Sequence, residues 1–297
     1  MRTLLAIASA LLILRSAVAQ DDPGKAPPWK PGQPALPSGP GTSQQVKVAS
    51  FCDAQQVAPG ETFHLAFVFT IEPKWHIYWK NSGASGGPTQ IQVTGPAGFT
   101  IGETLYPRPS AIHGEEGVSY GYEGKTVLYV PVTAPQELRM GQAVFTAKIN
   151  WMVCKEVCLL GRTTQMVSVT TVSGDSPDTP FPDMTPIDPD VKEFKNRLPK
   201  PLSDLEGATA TFKNGTLTIS VPAQGPTTAE FFPVEVPGVT YDEPAVTKDA
   251  DRLIVKVPVR VEPNNAQGGS MSIIGTLGLG NRPTDPSYDI EIPLPAP

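Results

Sequence analysis

A regular alternation of apolar and polar side chains constrains this chain more than any other feature of its sequence. In ETFHLAFVFTIE (61–72), every second residue from Phe63 to Ile71 is apolar, and AVFTAKINWMV (143–153) repeats the pattern. Successive side chains of a β-strand point to opposite faces, so a period of two predicts strands with one buried face. At least these two stretches should therefore be long, half-buried strands.

Proline and glycine extend this prediction to the whole chain. The 297 residues include 34 prolines and 27 glycines. Helix interiors exclude proline, whereas turns and strand edges accept it. Turn signals such as APG (58–60) and NSGASGGP (81–88) separate the alternating runs, and Asn214-Gly215 between two such runs predicts a two-residue hairpin. We predict an all-β fold built from β-sandwiches.

The first 19 residues are typical of a secretory signal peptide. Arg2 precedes the apolar run 4–14, and the small residues 17–19 (AVA) form a cleavage site. A membrane-spanning helix needs about 20 apolar residues, and Arg15 ends this run early. We therefore expect cleavage after Ala19, export, and no membrane span in the mature protein.

Composition divides the remaining chain into four segments. They are a Pro/Gly-rich tether (20–45), a first β domain (46–172), a Pro-rich linker (173–204) and a second β domain (205–297). Within the linker, Asp188 as N-cap and Pro189 at the first helical position predict a short helix that ends near Leu198. The second domain contains no Cys or His, so structural support or partner contact is predicted for it.

The charge of the chain argues against one class of partner. The formal net charge is −6, and the signal peptide removes Arg2 and Arg15 but no acidic residue. The mature chain therefore carries a larger negative charge and no basic stretch that could grip phosphates. Nucleic-acid binding is accordingly not expected.

Two of the three cysteines lie close together in WMVCKEVCLL (151–160). Residues 155–157 can form a three-residue hairpin loop, which places Cys154 and Cys158 opposite each other. Directly opposed residues have Cα atoms about 4.5–5.5 Å apart, and a disulfide accepts about 4.4–6.8 Å. The spacing therefore permits a Cys154–Cys158 disulfide, and disulfides persist outside the cytosol.

Three interpretations of this pair remain open from the residues alone. A purely structural role is disfavoured, because a disulfide that closes a loop this short stabilises the fold by only about 2 kcal/mol. A redox role is favoured, since short exposed disulfides are readily reduced. Thiolates with Met152 could instead bind Cu(I), but the histidines at 64, 76 and 113 are scattered and no metal site or cofactor is predicted. The third cysteine, Cys52, is expected to be buried, with a role as a third exchange partner as the alternative.

Five segments together resemble a known family. They are WHIYWKNSGASGGPTQI (75–91), LYPRP (105–109), YGYEG (120–124), INWMVCKEVCL (149–159) and FFPVE (231–235). In combination they resemble the periplasmic N-terminal domain of the DsbD family of thiol–disulfide interchange proteins, in its ScsB-like branch, which is linked to copper tolerance. The resemblance covers residues 46–280.

The resemblance implies immunoglobulin-like β-sandwiches and a redox role for Cys154 and Cys158. In the family, such a pair takes electrons from a membrane-embedded or thioredoxin-like donor and passes them to oxidised periplasmic clients. Full family members continue into a membrane domain and a thioredoxin-like domain, neither of which is in this sequence. We therefore expect a separate donor. A noncatalytic adaptor with a structural disulfide and a Cu(I)-handling protein are the alternatives.

Several residues are candidates to support the pair. Aromatic side chains shield it in the family, and Tyr120 and Tyr122 are candidates for that role. Asn81 lies where a strand gives way to a glycine-rich loop, and it could line the face around the cysteines. Lys155 favours a thiolate and Glu156 opposes it, so we expect a slow, partner-selective thiol.

Overall fold

Four β-sheets contain nearly all the regular structure of the described residues. The computed structural model describes residues 44–173, 188–223, 227–262 and 271–294. Two sheets are formed by strands within residues 46–171 and two by strands within residues 200–293. The all-β prediction is confirmed. The signal peptide and most of the tether lie outside the described residues, and the division into two tandem domains stays a prediction.

A four-stranded and a seven-stranded sheet form the first pair. The order in the smaller sheet is β1 (Val46–Cys52), β3 (Thr62–Ile71), β9 (Lys125–Thr133) and β6 (Thr100–Ile101). The order in the larger sheet is β2 (Gln56–Val57), β11 (Cys158–Thr171), β10 (Gly141–Cys154), β4 (His76–Gly83), β8 (Gly117–Glu123) and β7 (Ser110–Gly114), with β5 (Gln90–Thr94) also paired to β10.

The alternating residues of β3 and β10 meet between these two sheets. Phe63 contacts Phe145 edge to face at 5.8 Å between ring centroids, and Phe69 contacts Trp151 at 6.1 Å. All four side chains are buried. Each such burial stabilises the fold by about 1.5–3 kcal/mol, so the period-two pattern is confirmed as the signal of the core.

The remaining strands form the second pair of sheets. One has the order β12 (Lys200–Pro201), β20 (Ser287–Pro293), β19 (Ser272–Leu279) and β15 (Ala229–Pro233); the other has β13 (Thr209–Lys213), β14 (Thr216–Pro222), β18 (Arg252–Val261) and β16 (Val239–Tyr241), with β17 (Ala245–Asp249) paired to β18. The hairpin predicted at Asn214-Gly215 joins β13 to β14. Both turn residues have positive φ, 50° and 72°, as a tight hairpin turn requires.

A short helix covers the outer face of the smaller sheet of the first pair. Helix α1 (Pro189–Lys195) begins at the predicted N-cap, where Asp188 accepts a hydrogen bond from the Asp190 amide. Its buried residues Val191 and Phe194 pack on the sheet. The Tyr129 hydroxyl donates to the Val191 carbonyl at 2.6 Å. Part of the predicted linker therefore packs against the first pair of sheets. Residues 174–187 are outside the described part. One 3₁₀ turn follows at Leu202–Asp204.

Asp53 ties this helix to the sheet. One carboxylate oxygen lies 2.5 Å from the Lys195 ammonium and 3.0 Å from His64 Nδ1, and the other accepts from the His64 amide at 2.6 Å. Burial alone would raise the pKa of Asp53, but the hydrogen bonds from His64 and Lys195 outweigh it. They lower the pKa to about 2.

We expect Asp53→Asn to lower the free energy of unfolding at pH 7 by about 2 kcal/mol. The folded pKa lies below the ordinary value of 3.8, so this stabilisation is complete above the unfolded pKa. It is lost as pH falls from about 4 to about 2. Urea unfolding across this range measures the effect, with Asp204→Asn as an exposed control. A difference between wild type and variant that does not shrink in acid would contradict the assignment.

Hydrogen bonds from Arg108 and Asn81 join the first pair of sheets to the second. The buried Arg108 donates through Nη2 to Glu230 at 2.7 Å and to the Gly280 carbonyl at 2.8 Å. Asn81 donates through Nδ2 to the Pro233 carbonyl at 2.8 Å. The LYPRP segment, which contains Arg108, thus contributes to this joint.

Phe232 from β15 completes the joint. Its ring packs into the core of the first pair, 6.3 Å from Trp79 and 5.6 Å from Tyr120 between centroids. The Arg108 guanidinium lies 5.5 Å from the same ring, a cation–π arrangement. The two sheet pairs therefore share one buried aromatic cluster.

Candidate functional site

The hairpin of β10 and β11 brings the two cysteines together as the spacing predicts. The register runs without a break from Gly141 opposite Thr171 to Cys154 opposite Cys158. The two sulfur atoms are bonded at 2.02 Å, with Cα atoms 4.2 Å apart. The Lys155 amide donates to the Val157 carbonyl across the loop. The site is therefore a disulfide at the tip of a long hairpin.

The two halves of this disulfide differ in exposure. Cys154 is only 3% exposed, whereas Cys158 is exposed. Three apolar side chains next to Cys158 are also exposed, Val157 at 60%, Leu159 at 36% and Leu160 at 51%. Exposed apolar clusters mark surfaces that contact other proteins. Cys158 is therefore the half of the disulfide that is open to solvent, and Cys154 is the protected half.

A row of paired residues extends from the disulfide across four strands. Cys158 is opposite Cys154, Cys154 is opposite His76 of β4, and His76 is opposite Glu123 of β8. Directly opposed residues of antiparallel strands project their side chains to the same face. The row therefore places an imidazole beside the buried sulfur and a carboxylate beyond the imidazole.

His76 has a second neighbour on its own strand. Its Nε2 lies 3.1 Å from the Tyr78 hydroxyl, and the two rings meet edge to face at 5.1 Å. Burial lowers the pKa of His76. The negative charge of Glu123 partly opposes this effect. The imidazole is therefore mostly neutral at neutral pH.

A glycine-rich loop holds Tyr78 in this position. Gly86 has φ +80°, and a Cβ atom there would lie 2.1 Å from Tyr78 Cζ. Only a glycine lets the loop approach the ring so closely. Burial raises the pKa of Tyr78, so its hydroxyl stays protonated and available for hydrogen bonding. The turn predicted at 81–88 thus packs beside the site.

Lys155 and Glu156 lie in the loop between the cysteines, and both are exposed. Sequence reasoning placed them there, and their influence on the thiolate stays a prediction. His76 and Glu123 were not predicted as site residues. Their place depends on which strands become neighbours, and no local sequence signal specifies that.

The other three predicted supporting residues contact different parts of the molecule. Tyr122 is opposite Ile77, on the core-facing side of the sheet, and its hydroxyl donates to the Pro107 carbonyl. Tyr120 packs against Trp79. Asn81 lies five residues along β4 from His76, about 16 Å in an extended strand. Strand alternation turns Tyr122 away from the cysteines, and a shielding role for Tyr120 and Tyr122 stays a prediction.

The third cysteine differs from the pair. Cys52 is half-buried, and its sulfur accepts a hydrogen bond from the Ala54 amide. Burial raises the pKa of its thiol to about 11, so it carries almost no thiolate at neutral pH. Within the described ranges, no group of three or more His, Cys, Asp or Glu side chains is arranged to hold a metal ion.

The family comparison matches the first pair of sheets. Residues 45–170 match the model of the thiol:disulfide interchange protein DsbD, N-terminal. No curated protein sequence matches the chain. No helix among the described residues has the length and apolar character needed to cross a membrane.

A comparison of structures extends the likeness beyond those residues. The crystal structure of the N-terminal periplasmic domain of ScsB from Proteus mirabilis aligns with a TM-score of 0.54 and 16% identity, over 85% of this chain and 93% of that one. This likeness confirms the all-β fold class. A family 123 glycoside hydrolase from Clostridium perfringens aligns at a TM-score of 0.25 and 7% identity, over 42% and 27% of the two chains; no argument rests on it.

Proposed function

We propose, from the premise that residues 45–170 form a DsbD/ScsB-like N-terminal domain, that this protein exchanges electrons with other proteins through the Cys154–Cys158 disulfide. In this proposal a separate membrane-embedded or thioredoxin-like donor reduces the pair. The reduced pair then reduces disulfides of oxidised client proteins. The signal peptide predicted at residues 1–19 supports a periplasmic location for this relay.

The unequal exposure of the two cysteines is the observation that carries this proposal. A donor thiolate attacks the exposed Cys158 Sγ, the Cys154–Cys158 bond breaks, and Cys154 leaves as a thiolate. A second donor thiol then attacks the mixed disulfide, and the pair is left with two thiols. The apolar side chains Val157, Leu159 and Leu160 form the surface against which a partner packs during these steps.

The reverse sequence serves the client. The Cys158 thiolate attacks a client disulfide, forms a mixed disulfide and displaces one client thiolate. Cys154 then attacks Cys158 Sγ, which closes the pair and releases the second client thiolate. Two electrons pass from the pair to the client, and the atoms balance in each step.

The reduction potential of the pair tests the proposal. The mature protein is equilibrated with glutathione and thioredoxin buffers, alkylated, and analysed by mass for labelled thiols at Cys154 and Cys158. A potential between about −180 and −270 mV, the range of exchange proteins, is the expected result. A bond that stays closed below about −300 mV would indicate a structural staple and would overturn the proposal.

A further inference from the structure

The burial of Cys154 creates a chemical requirement when the pair closes. Cys154 must attack as a thiolate, but thiols in apolar surroundings tend to stay protonated. With 3% exposure, this side chain has little access to bulk water as a proton acceptor. The closing step therefore needs a base inside the protein, next to the sulfur.

The strands packed around Cys154 offer a small set of titratable groups. Strand β11 supplies Cys158, β4 supplies His76 and Tyr78, and β8 supplies Glu123 beyond His76. Directly opposed residues have Cα atoms about 4.5–5.5 Å apart, so His76 is an immediate neighbour of Cys154. Of these groups, a neutral imidazole is the one suited to take up a proton near neutral pH.

The hydrogen bonds of His76 leave one ring nitrogen for this task. Nε2 is occupied by the Tyr78 hydroxyl, and among the described residues Nδ1 has no hydrogen-bond partner. Glu123 stands on the far side of the imidazole, where its charge favours the imidazolium that forms on protonation. A base beside a thiol, held in turn by a third group, is the usual arrangement for activating a nucleophile, and Tyr78 is that third group here.

We propose that His76 is the general base for Cys154, that Tyr78 positions its ring, and that the charge of Glu123 favours its protonated form. The proposal rests on the exchange function proposed for the pair and adds the residue that drives its closing step. In that step His76 takes the Cys154 proton, and the thiolate attacks Cys158 Sγ of the mixed disulfide. The Cys154–Cys158 bond forms, the bond from Cys158 to the client breaks, and the client leaves as a thiolate.

An aromatic disulfide, 5,5′-dithiobis(2-nitrobenzoate), separates this step from the one before it. Reduced mature protein releases one coloured thiolate when Cys158 attacks, at a rate proportional to reagent concentration. It releases a second when Cys154 closes the pair, at a rate independent of reagent concentration. Stopped-flow absorbance thus measures the closing step alone.

The pH profile of the wild-type closing step is the first readout. With His76 as base, the rate rises with pH as the imidazole loses its proton. The rate reaches its plateau before pH 6.5, because burial lowers the pKa of His76 from that value. Without a base, the rate of attack instead rises about tenfold per pH unit up to the pKa of the Cys154 thiol itself. A profile of the second kind overturns the proposal, and this measurement needs no variant.

Substitutions supply the second readout. In His76→Asn the closing step is expected to slow about 100-fold, with the first phase unchanged and partial rescue by added imidazole. In Glu123→Gln the levelling point is expected to move to lower pH. His113→Asn, the same change at an exposed histidine of β7, is the matched control and should leave both phases unchanged. An unaltered closing rate in folded His76→Asn overturns the proposal.

The two proposals can fail separately. A pair that is too reducing to exchange with glutathione or thioredoxin defeats the proposed function, whatever the closing kinetics. If the reduction potential of the cysteine pair lies in the exchange range, but the closing rate does not depend on His76, only the inference about the base fails.

Discussion

Serine at Cys154 is expected to trap partner proteins on Cys158, whereas serine at Cys158 is expected to abolish trapping. Cys158 is exposed and Cys154 is 3% exposed, so we expect mixed disulfides to form on Cys158. Without Cys154 the mixed disulfide has no internal thiol to resolve it and accumulates. Without Cys158 the remaining thiol is inaccessible to a partner.

Both substitutions should reduce electron transfer by at least about 1,000-fold, because the two thiols act as one unit. The measurement uses each reduced variant with an oxidised thioredoxin-like protein. Non-reducing electrophoresis and mass spectrometry then quantify the adduct. We expect at least about tenfold more adduct for Cys154→Ser than for Cys158→Ser, given the preference for accessible sulfurs in exchange.

Cys52→Ser provides the matched control. Burial raises the pKa of the Cys52 thiol to about 11, so this residue should neither form adducts nor affect turnover. Equal trapping by Cys154→Ser and Cys158→Ser would contradict the direction of attack. Adducts on Cys52 would show that the third thiol takes part in exchange.

Features that depend on short spacings were predictable from the sequence. The alternation of Phe63 to Ile71 identified a core strand, and Asn214-Gly215 identified a hairpin. The three residues between Cys154 and Cys158 were enough to place the sulfurs opposite each other. In each case the physical rule connects residues a few positions apart, so the local sequence is enough to predict the feature.

Features that depend on strand neighbours were not predictable. His76 and Cys154 are 78 positions apart in the sequence, and they meet only because β4 pairs with the end of β10. The pairing of β4 with β8 then adds Glu123. Composition and periodicity state that strands exist and which face is apolar, but they do not state which strands pair or in what register.

Two adjacent residues at the joint between the sheet pairs show one feature that is set by local sequence and one that is set by tertiary structure. Phe231 and Phe232 alternate on β15, as the sequence suggests. Phe231 packs in the core of the second pair, whereas Phe232 packs in the core of the first. Neighbouring residues of a strand point in opposite directions. That both directions lead to a hydrophobic core follows only from the tertiary structure.

Phe232→Ala is expected to lower the free energy of unfolding by about 3–5 kcal/mol, the range for removing a buried aromatic ring. The ring is 1% exposed, and it supports Trp79, Tyr120 and the guanidinium of Arg108. Its loss leaves a cavity in the first core and removes the aromatic partner of a buried cation. Urea unfolding followed by tryptophan fluorescence measures the change, since Trp79 lies in the same cluster.

Phe231→Ala is the control that separates loss of a joint from loss of a core residue. Phe231 is buried to a similar degree, 4% exposed, so its removal should also destabilise the protein. Its contacts lie within the second pair of sheets, however, and they do not cross the joint. We expect Phe232→Ala, but not Phe231→Ala, to change the fluorescence of Trp79 in the folded state and to separate unfolding into two transitions. Identical unfolding curves for the two variants would show that the sheet pairs are coupled through Arg108 and Asn81 rather than through this ring.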